Sequence, residues 1–139
     1  MKSCPICEKH QTIETPLYEN EYWMITPGSY DSQVLGYLYL EPKRHVENWS
    51  DLTDEELMQI GLLIKKTEGV LREVLNIDRL YSLTISEQVR HLHFHLVPRA
   101  SGENTKGIPL LERATQQNTK EKITTEEYNR MLDALRENF

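Results

Sequence analysis

The stretch VRHLHFHLVPR, residues 89 to 99, sets histidines at positions 91, 93 and 95 in an otherwise apolar run, three of the five histidines in the chain. An imidazole can ligate a metal, attack an electrophile or move a proton near neutral pH, so three at every second position invite a chemical reading. In a β-strand alternate side chains share a face. Leu92, Phe94 and Leu96 then form a core face, while His91, His93 and His95 stand on the other, each about 7 Å from the next at twice the rise per residue. A lone histidine in a strand is most simply a satisfied core or surface residue, but three in register are poorly explained that way. Two arrangements suit them: a metal held by His-x-His on a strand, or a nucleophilic imidazole flanked by groups that orient it and bind phosphate. Spacing leaves both open.

Cys4 and Cys7 are the only cysteines. They lie too close together to cross-link a fold, and in a reducing compartment Cys-x-x-Cys is a metal site, a redox pair or a plain reduced thiol pair. The redox option is weakened because no strand-to-helix turn surrounds the pair.

The elements that must position these residues are legible from periodicity. PLYENEYWMI, residues 16 to 25, predicts two short strands about a Glu19-Asn20-Glu21 turn, and GYLYLEP, Gly36 to Pro42, a third. Thr53 and Glu56 make a capping box, opening one long helix whose Leu57, Ile60, Ile64, Leu71 and Val74 recur at helical spacing up to about Asn76. Leu80 to Ile85 and the histidine run predict a hairpin joined by Ser86-Glu87-Gln88. Residues 101–122, polar and punctuated by Gly107-Ile108-Pro109, read as an extended loop. A C-terminal helix over 123–139 follows, with a Thr124/Glu127 capping box and a stripe of Tyr128, Met131, Leu132, Leu135 and Phe139. This order predicts a single α+β domain over 1–139, a five-stranded antiparallel sheet crossed by one long helix, with a C-terminal helix after it.

Composition narrows the function classes. At 139 residues, 38% hydrophobic and 27% charged, the chain reads as one soluble globular domain. The beginning MKSCPICEKH lacks a signal-peptide apolar region, and no apolar run approaches the roughly 18 residues of a membrane span, so a cytoplasmic location and no membrane partner are expected. A net charge of -6 argues against bulk nucleic-acid binding, although a few local donors suffice for a small phosphate ligand.

The histidine run also resembles a known pattern. HLHFHLVPR is similar to the His-φ-His-φ-His-φ-φ signature (φ apolar) of the histidine-triad (HIT) family of nucleotide hydrolases and transferases, and GYLYLEPKRH resembles its Gly-His-x-Leu-φ-φ-Pro-Lys-x-His block. The Cys-x-x-Cys, the capped helix after PKRH and the trailing PR fall where the family has them, and the likeness covers about residues 4 to 100. It implies a HIT-like fold, usually a homodimer, for which Trp23, Tyr37 and Tyr81 are aromatic surface candidates. His93 would be the nucleophile on the α-phosphorus of a small nucleotide, with a backbone carbonyl beside His91 fixing its tautomer and His95 binding a non-bridging oxygen. Some bacterial members hold a structural zinc, and the resemblance carries that role onto Cys4, Cys7, His45 and His91, with residues 1–15 as the zinc-binding segment. His10 matches no role and reads as solvated.

The chain also departs from the pattern. Tyr37 stands where most family hydrolases have histidine, Ser86-Glu87-Gln88 stands where Gly-Gln-Ser/Thr is usual, and Thr26 falls at the ribose-binding position. Gln88 can donate a hydrogen bond to a phosphate or leaving group, yet an amide is no acid. Three readings therefore compete: an enzyme cleaving or transferring a nucleotidyl group, a nucleotide-binding or zinc-stabilised interaction protein with a drifted site, and a metal-dependent hydrolase with His93 and His95 as ligands.

Overall fold

A computed structural model of the chain describes residues 3–116 and 122–139. Five strands form one antiparallel sheet: β1 (Tyr18–Glu19), β2 (Trp23–Pro27), β3 (Leu38–Pro42), β4 (Ile77–Leu83) and β5 (Phe94–Ala100), in the order β1-β2-β3-β5-β4. Asn20 makes the first turn, its Oδ1 accepting the backbone N–H groups of Tyr22 and Trp23, both at 2.9 Å. β3 runs beside β5 with Tyr39 opposite His95 and Leu40 opposite Phe94. This is the α+β sheet expected from the sequence.

The two-residue period divides the sheet into two faces. Trp23, Ile25, Leu38, Leu40, Phe94 and Leu96 lie on the first, buried under α3 (Ile60–Leu75) and α5 (Thr125–Asn138). Truncating one of these, Leu40 for example, leaves a cavity and costs about 2–5 kcal/mol. The opposite face carries Thr26, Tyr37, Tyr39, Glu41, His95 and Val97, and is covered by α1 (Pro5–Thr12) and α4 (Ile108–Thr115). Chemistry-bearing side chains thus sit on the sparsely covered side.

Three features differ from the expectations. The single helix after Thr53 is divided at Gln59 into α2 (Asp54–Met58) and α3. The capping box does open it, with Glu56 N–H donating to Thr53 Oγ1 at 3.1 Å and Thr53 N–H to Glu56 Oε1 at 2.8 Å. The break follows because the indole N–H of Trp23 takes the Glu56 carbonyl at 2.9 Å and Asn20 holds the Gln59 side chain at 2.8 Å. Within α2 it is Glu56 that is buried and Leu57 that faces outward, 45% exposed, whereas Leu63 and Val70 of α3 join the core.

Second, the polar loop expected over 101–122 contains helix α4. Pro109, read as punctuation, sits in its first turn, where a missing N–H costs nothing, and Gly107 precedes it at φ 67°. Leu110 and Ala114 bury against Tyr37 and Val97. Residues 117–121 of that expected loop lie outside the described residues.

Third, the expected hairpin between β4 and β5 is widened. Only Phe94 onward is strand, so Thr84 to His93 form an irregular connection and just His95 of the three histidines lies within β5. The C-terminal helix matches its expectation: Thr124 Oγ1 accepts the Glu127 N–H at 3.1 Å, and Met131, Leu132 and Leu135 are buried.

Candidate functional site

Cys4 caps α1, and its Sγ accepts the Cys7 N–H at 3.4 Å, so the pair is folded into one helical turn. Two loops bring the other ligands to it. The Leu92 N–H donates to the Val46 carbonyl at 2.7 Å, which holds the segment after His45 beside the segment after His91. One potential ligand atom from each of Cys4, Cys7, His45 and His91 then lies within 4.8 Å of every other. His91 Nδ1 is 3.4 Å from both sulfurs, and His45 Nδ1 is 3.5 Å from Cys7 Sγ. A tetrahedral zinc with bonds of about 2.3 Å to sulfur and about 2.0–2.1 Å to nitrogen sets those ligands about 3.5–3.6 Å apart. The residues present fit that ion.

His91 is fully buried, and its Nε2–H donates to the Pro42 carbonyl at 2.8 Å. That bond leaves Nδ1 with a free electron pair facing the sulfurs, the orientation a ligand needs. Burial lowers the His91 pKa and keeps the ring neutral, while burial followed by the neighbouring Cys4 pushes the Cys7 thiol up. A metal bound at Cys7 would therefore displace its proton.

His93 lies just before β5, half buried. Its Nδ1–H points at the carbonyl oxygen of His91, 2.7 Å away, so its Nε2 keeps a free electron pair. Ser86 braces this arrangement: its Oγ accepts the His93 N–H at 3.1 Å and lies 3.4 Å from Nδ1. Ser86 reaches there only through a left-handed backbone, φ 54°, a conformation that favours glycine. Thr84 Oγ1 donates to the His93 carbonyl at 2.7 Å. The ring of His95 has its centroid 5.0 Å from that of His93, and its Nδ1 is 2.6 Å from the Tyr37 hydroxyl. Burial first, then His93, lowers the His95 pKa to about 4, so that ring is neutral at pH 7.

These imidazoles open into a cavity of about 900 Å³, lined also by Ile6, Lys9, Tyr39 and Gln88. Its size is within the roughly 300–1,000 Å³ usual for small-molecule sites. Gln88 is exposed at the edge, and Tyr37 reaches the lining while only 3% exposed. Thr26 is placed differently from the ribose-contacting position expected of it. It is fully buried, donating to Glu41 Oε1 at 3.0 Å and accepting from Lys9 Nζ at 3.1 Å. Lys9 and Glu41 occupy its hydroxyl, and it is not among the residues that line the cavity.

Glu41 is the residue that sequence reasoning missed. It is 1% exposed, yet Lys9 Nζ at 2.6 Å and His10 Nε2 at 3.0 Å, both from α1, join Thr26 on its carboxylate. Burial alone would raise its pKa, but these partners together hold it below the usual range. His10 is accordingly a partner of a buried carboxylate rather than a solvated residue. A carboxylate inside the apolar run LYLEP was a signal that a buried partner is needed, though not of which residues supply it. Trp23 and Tyr37, expected at a subunit surface, are buried within the chain, and Tyr81 is half buried, its hydroxyl accepting the Gly107 N–H at 2.9 Å.

Among the described residues no helix is long and apolar enough to cross a membrane. The family model described as HIT domain matches residues 11–102. An uncharacterised HIT-like protein of Methanocaldococcus jannaschii is 32% identical over 72 residues, 49% of this chain and 56% of that protein. An adenosine 5'-monophosphoramidase of Schizosaccharomyces pombe is 30% identical over 74 residues, 52% of this chain and 56% of that protein. The chain spans about half the length of these curated relatives. Among solved structures, a hypothetical histidine triad nucleotide-binding protein from Sulfolobus tokodaii superposes with a TM-score of 0.71 at 20% identity, over 97% of this chain and 91% of that one. A zinc-bound histidine triad family protein from Mycobacterium smegmatis does so with 0.68 at 19% identity, over 97% and 94%. At such identities these two establish likeness of fold. With the family model spanning well over half of the sequence, the chain belongs to the histidine-triad (HIT) family.

Proposed function

We propose that the protein is a nucleotidyl hydrolase or transferase acting at the α-phosphate of a small nucleotide, either a nucleoside phosphoramidate or a dinucleoside polyphosphate. One observation carries this reading: the His91 carbonyl holds His93 with Nδ1 protonated and Nε2 free beside a cavity of suitable size. A neutral imidazole in that tautomer is a competent nucleophile near pH 7. His93 Nε2 forms a bond to phosphorus as the bond to the leaving amine or phosphate breaks. Water, or another acceptor in a transferase, then attacks the nucleotidyl-histidine and returns the imidazole. His95 and Gln88 border the same space, and the side-chain N–H groups of both can serve as donors to phosphate oxygens. The similarity to a relative named as an adenosine 5'-monophosphoramidase favours the phosphoramidate.

Cys4, Cys7, His45 and His91 would hold a structural zinc, because four protein ligands close the coordination sphere. Such an ion, when bound, supplies the tie between residues 1–15 and the sheet. The thiolate ligands suit a reducing compartment, which is the basis for proposing a cytoplasmic location. The homodimer implied by the resemblance belongs to the proposal as well, and light scattering at micromolar concentration tests it.

The alternative, a nucleotide-binding or interaction protein with a weak site, is favoured by one feature: Gln88, an amide, stands at the cavity edge near where a leaving group would depart. A panel of adenosine and guanosine phosphoramidates and dinucleoside polyphosphates decides between them. The enzyme releases nucleoside monophosphate and gains a nucleotidyl mass on His93. Nucleotide binding with neither product nor adduct across the panel establishes the alternative.

A further inference from the structure

We infer that Tyr37 is a positioning residue that selects the tautomer of His95, presenting its Nε2–H to the cavity. The inference deepens the proposed phosphate site and rests on it for its catalytic meaning, though not for its geometry.

The Tyr37 hydroxyl lies 2.6 Å from His95 Nδ1, a short O–H···N contact. Of the two, a phenol O–H is the better hydrogen-bond donor and a bare imidazole nitrogen the better acceptor, and the 2.6 Å separation suits an O–H···N bond, so the phenol donates. With Nδ1 accepting, the single proton of a neutral His95 ring resides on Nε2. Both groups stay in the required state. Burial, then Tyr39, pushes the Tyr37 pKa well above its ordinary value, and the lowered His95 pKa keeps that ring uncharged.

The ring of Tyr37 has little freedom to turn away. Gly28 packs flat against it: a Cβ there would come within 2.8 Å of Tyr37 Cδ2 and of its carbonyl oxygen. The Gly28 N–H donates to that carbonyl at 2.8 Å, and Tyr128 Oη donates to the Gly28 carbonyl at 2.7 Å. On the other side lie Val97, Leu110 and Ala114. Tyr39, His93 and, farther off, Glu41 are the remaining titratable groups that bear on His95.

The consequence is a pair of adjacent imidazoles in opposite states. A carbonyl holds His93 with Nδ1–H and a bare Nε2, whereas a phenol holds His95 with a bare Nδ1 and Nε2–H. One ring attacks and its neighbour donates. Without the hydroxyl, no other hydrogen bond to His95 Nδ1 among the described residues biases the ring toward the donor form, and His95 in the other tautomer would turn a lone pair toward a phosphate oxygen.

Long-range ¹H–¹⁵N correlation on the full chain at pH 7 reads the tautomers directly. In the wild type His95 should show Nε2 protonated and Nδ1 bare, and Tyr37→Phe should convert this to a mixture. With whichever substrate the panel yields, Tyr37→Phe should lower kcat roughly tenfold or less, the worth of one hydrogen bond, with KM little changed. Tyr37→His, which restores a donor, should recover part of the loss. His95 protonated at Nδ1 in the wild type, or an unaltered tautomer in folded Tyr37→Phe, overturns the inference. Should Tyr37→Phe not fold, Gly28→Ala, which pushes on the same ring, takes its place with the same expected mixture. A tautomer that shifts as stated in a protein that turns over nothing refutes the proposed function and leaves this inference standing.

Discussion

The carbonyl oxygen of His91 lies 2.7 Å from Nδ1 of His93, so one residue offers its ring to the cysteine cluster and its backbone to the neighbouring imidazole. The cysteine–histidine cluster and the cavity are therefore linked through His91, whose ring faces the cluster and whose carbonyl orients the cavity's His93. Substitutions at the two histidines should separate cleanly.

Removing the His93 ring should abolish turnover while leaving metal content at the wild-type level. His93→Ala tests the first half by product release and the second by elemental analysis. His93→Gly should regain part of its activity with added imidazole, because the missing group is a small diffusible ring. Residual wild-type rates in His93→Ala refute the nucleophile.

His91→Ala should instead lose zinc and stability together, since it removes one of four ligands from a closed set. Purified wild type should carry about one zinc per chain, and a chelator should lower its Tm. Protein purified without chelator that contains no zinc, and whose Tm ignores added zinc, defeats this expectation.

Acid should destabilise the fold. The His95 pKa is about 4 in the folded chain against about 6.5 when unfolded, so between those values the unfolded state binds more protons. The stability contributed is intact above about pH 6.5 and is lost as pH falls through about 4. Glu41, also held below its ordinary value, is lost in the same direction at lower pH. Thermal melts from pH 8 to 4 should show a falling Tm below about 6.5, and His95→Gln should flatten the upper part of that fall. A Tm constant over that range contradicts the neutral buried ring.

Lys9→Met should lower stability by about 1–3 kcal/mol in urea titrations, less than the full loss of a buried pair, because His10 and Thr26 remain on the Glu41 carboxylate. Lys9→Met/Glu41→Gln should restore part of it. An additive double variant would mean that the 2.6 Å ion pair contributes nothing.

Cys4 and Cys7 stand out in one dimension because they share a helical turn, and His91, His93 and His95 because they recur at every second position, whereas the grouping of the cysteines with His45 and His91 was implied by the family resemblance and not by spacing. Helical stripes were legible wherever the core alone decided them, as for Leu71 and Leu135. Long-range contacts were not. Nothing in EPKRH announces that Glu41 meets Lys9 and His10 from thirty residues upstream, and nothing in GYLYL shows that Tyr37 bonds His95. Leu57 misled because the turn after Thr53 buries Glu56, held by Arg44 and the Thr53 N–H, in place of the leucine beside it, a preference that apolar periodicity does not register. Pro109 misled because a proline that ends one helix begins another equally well.

Helix α1 carries Cys4 and Cys7 against the cluster, Lys9 and His10 against Glu41, and Pro5 and Ile6 against the cavity. An ion held by all four ligands would anchor this helix, and a nucleotide bound in the cavity that Pro5 and Ile6 line would anchor it again. Two occupants that order the same segment are thermodynamically linked, and the linkage is reciprocal: each raises the affinity of the other by the same factor. Zinc titrations with and without nucleoside monophosphate measure that factor, and a value of one would mean that α1 stays in place unaided. A value above one makes metal affinity a gauge of a pocket that the metal never touches.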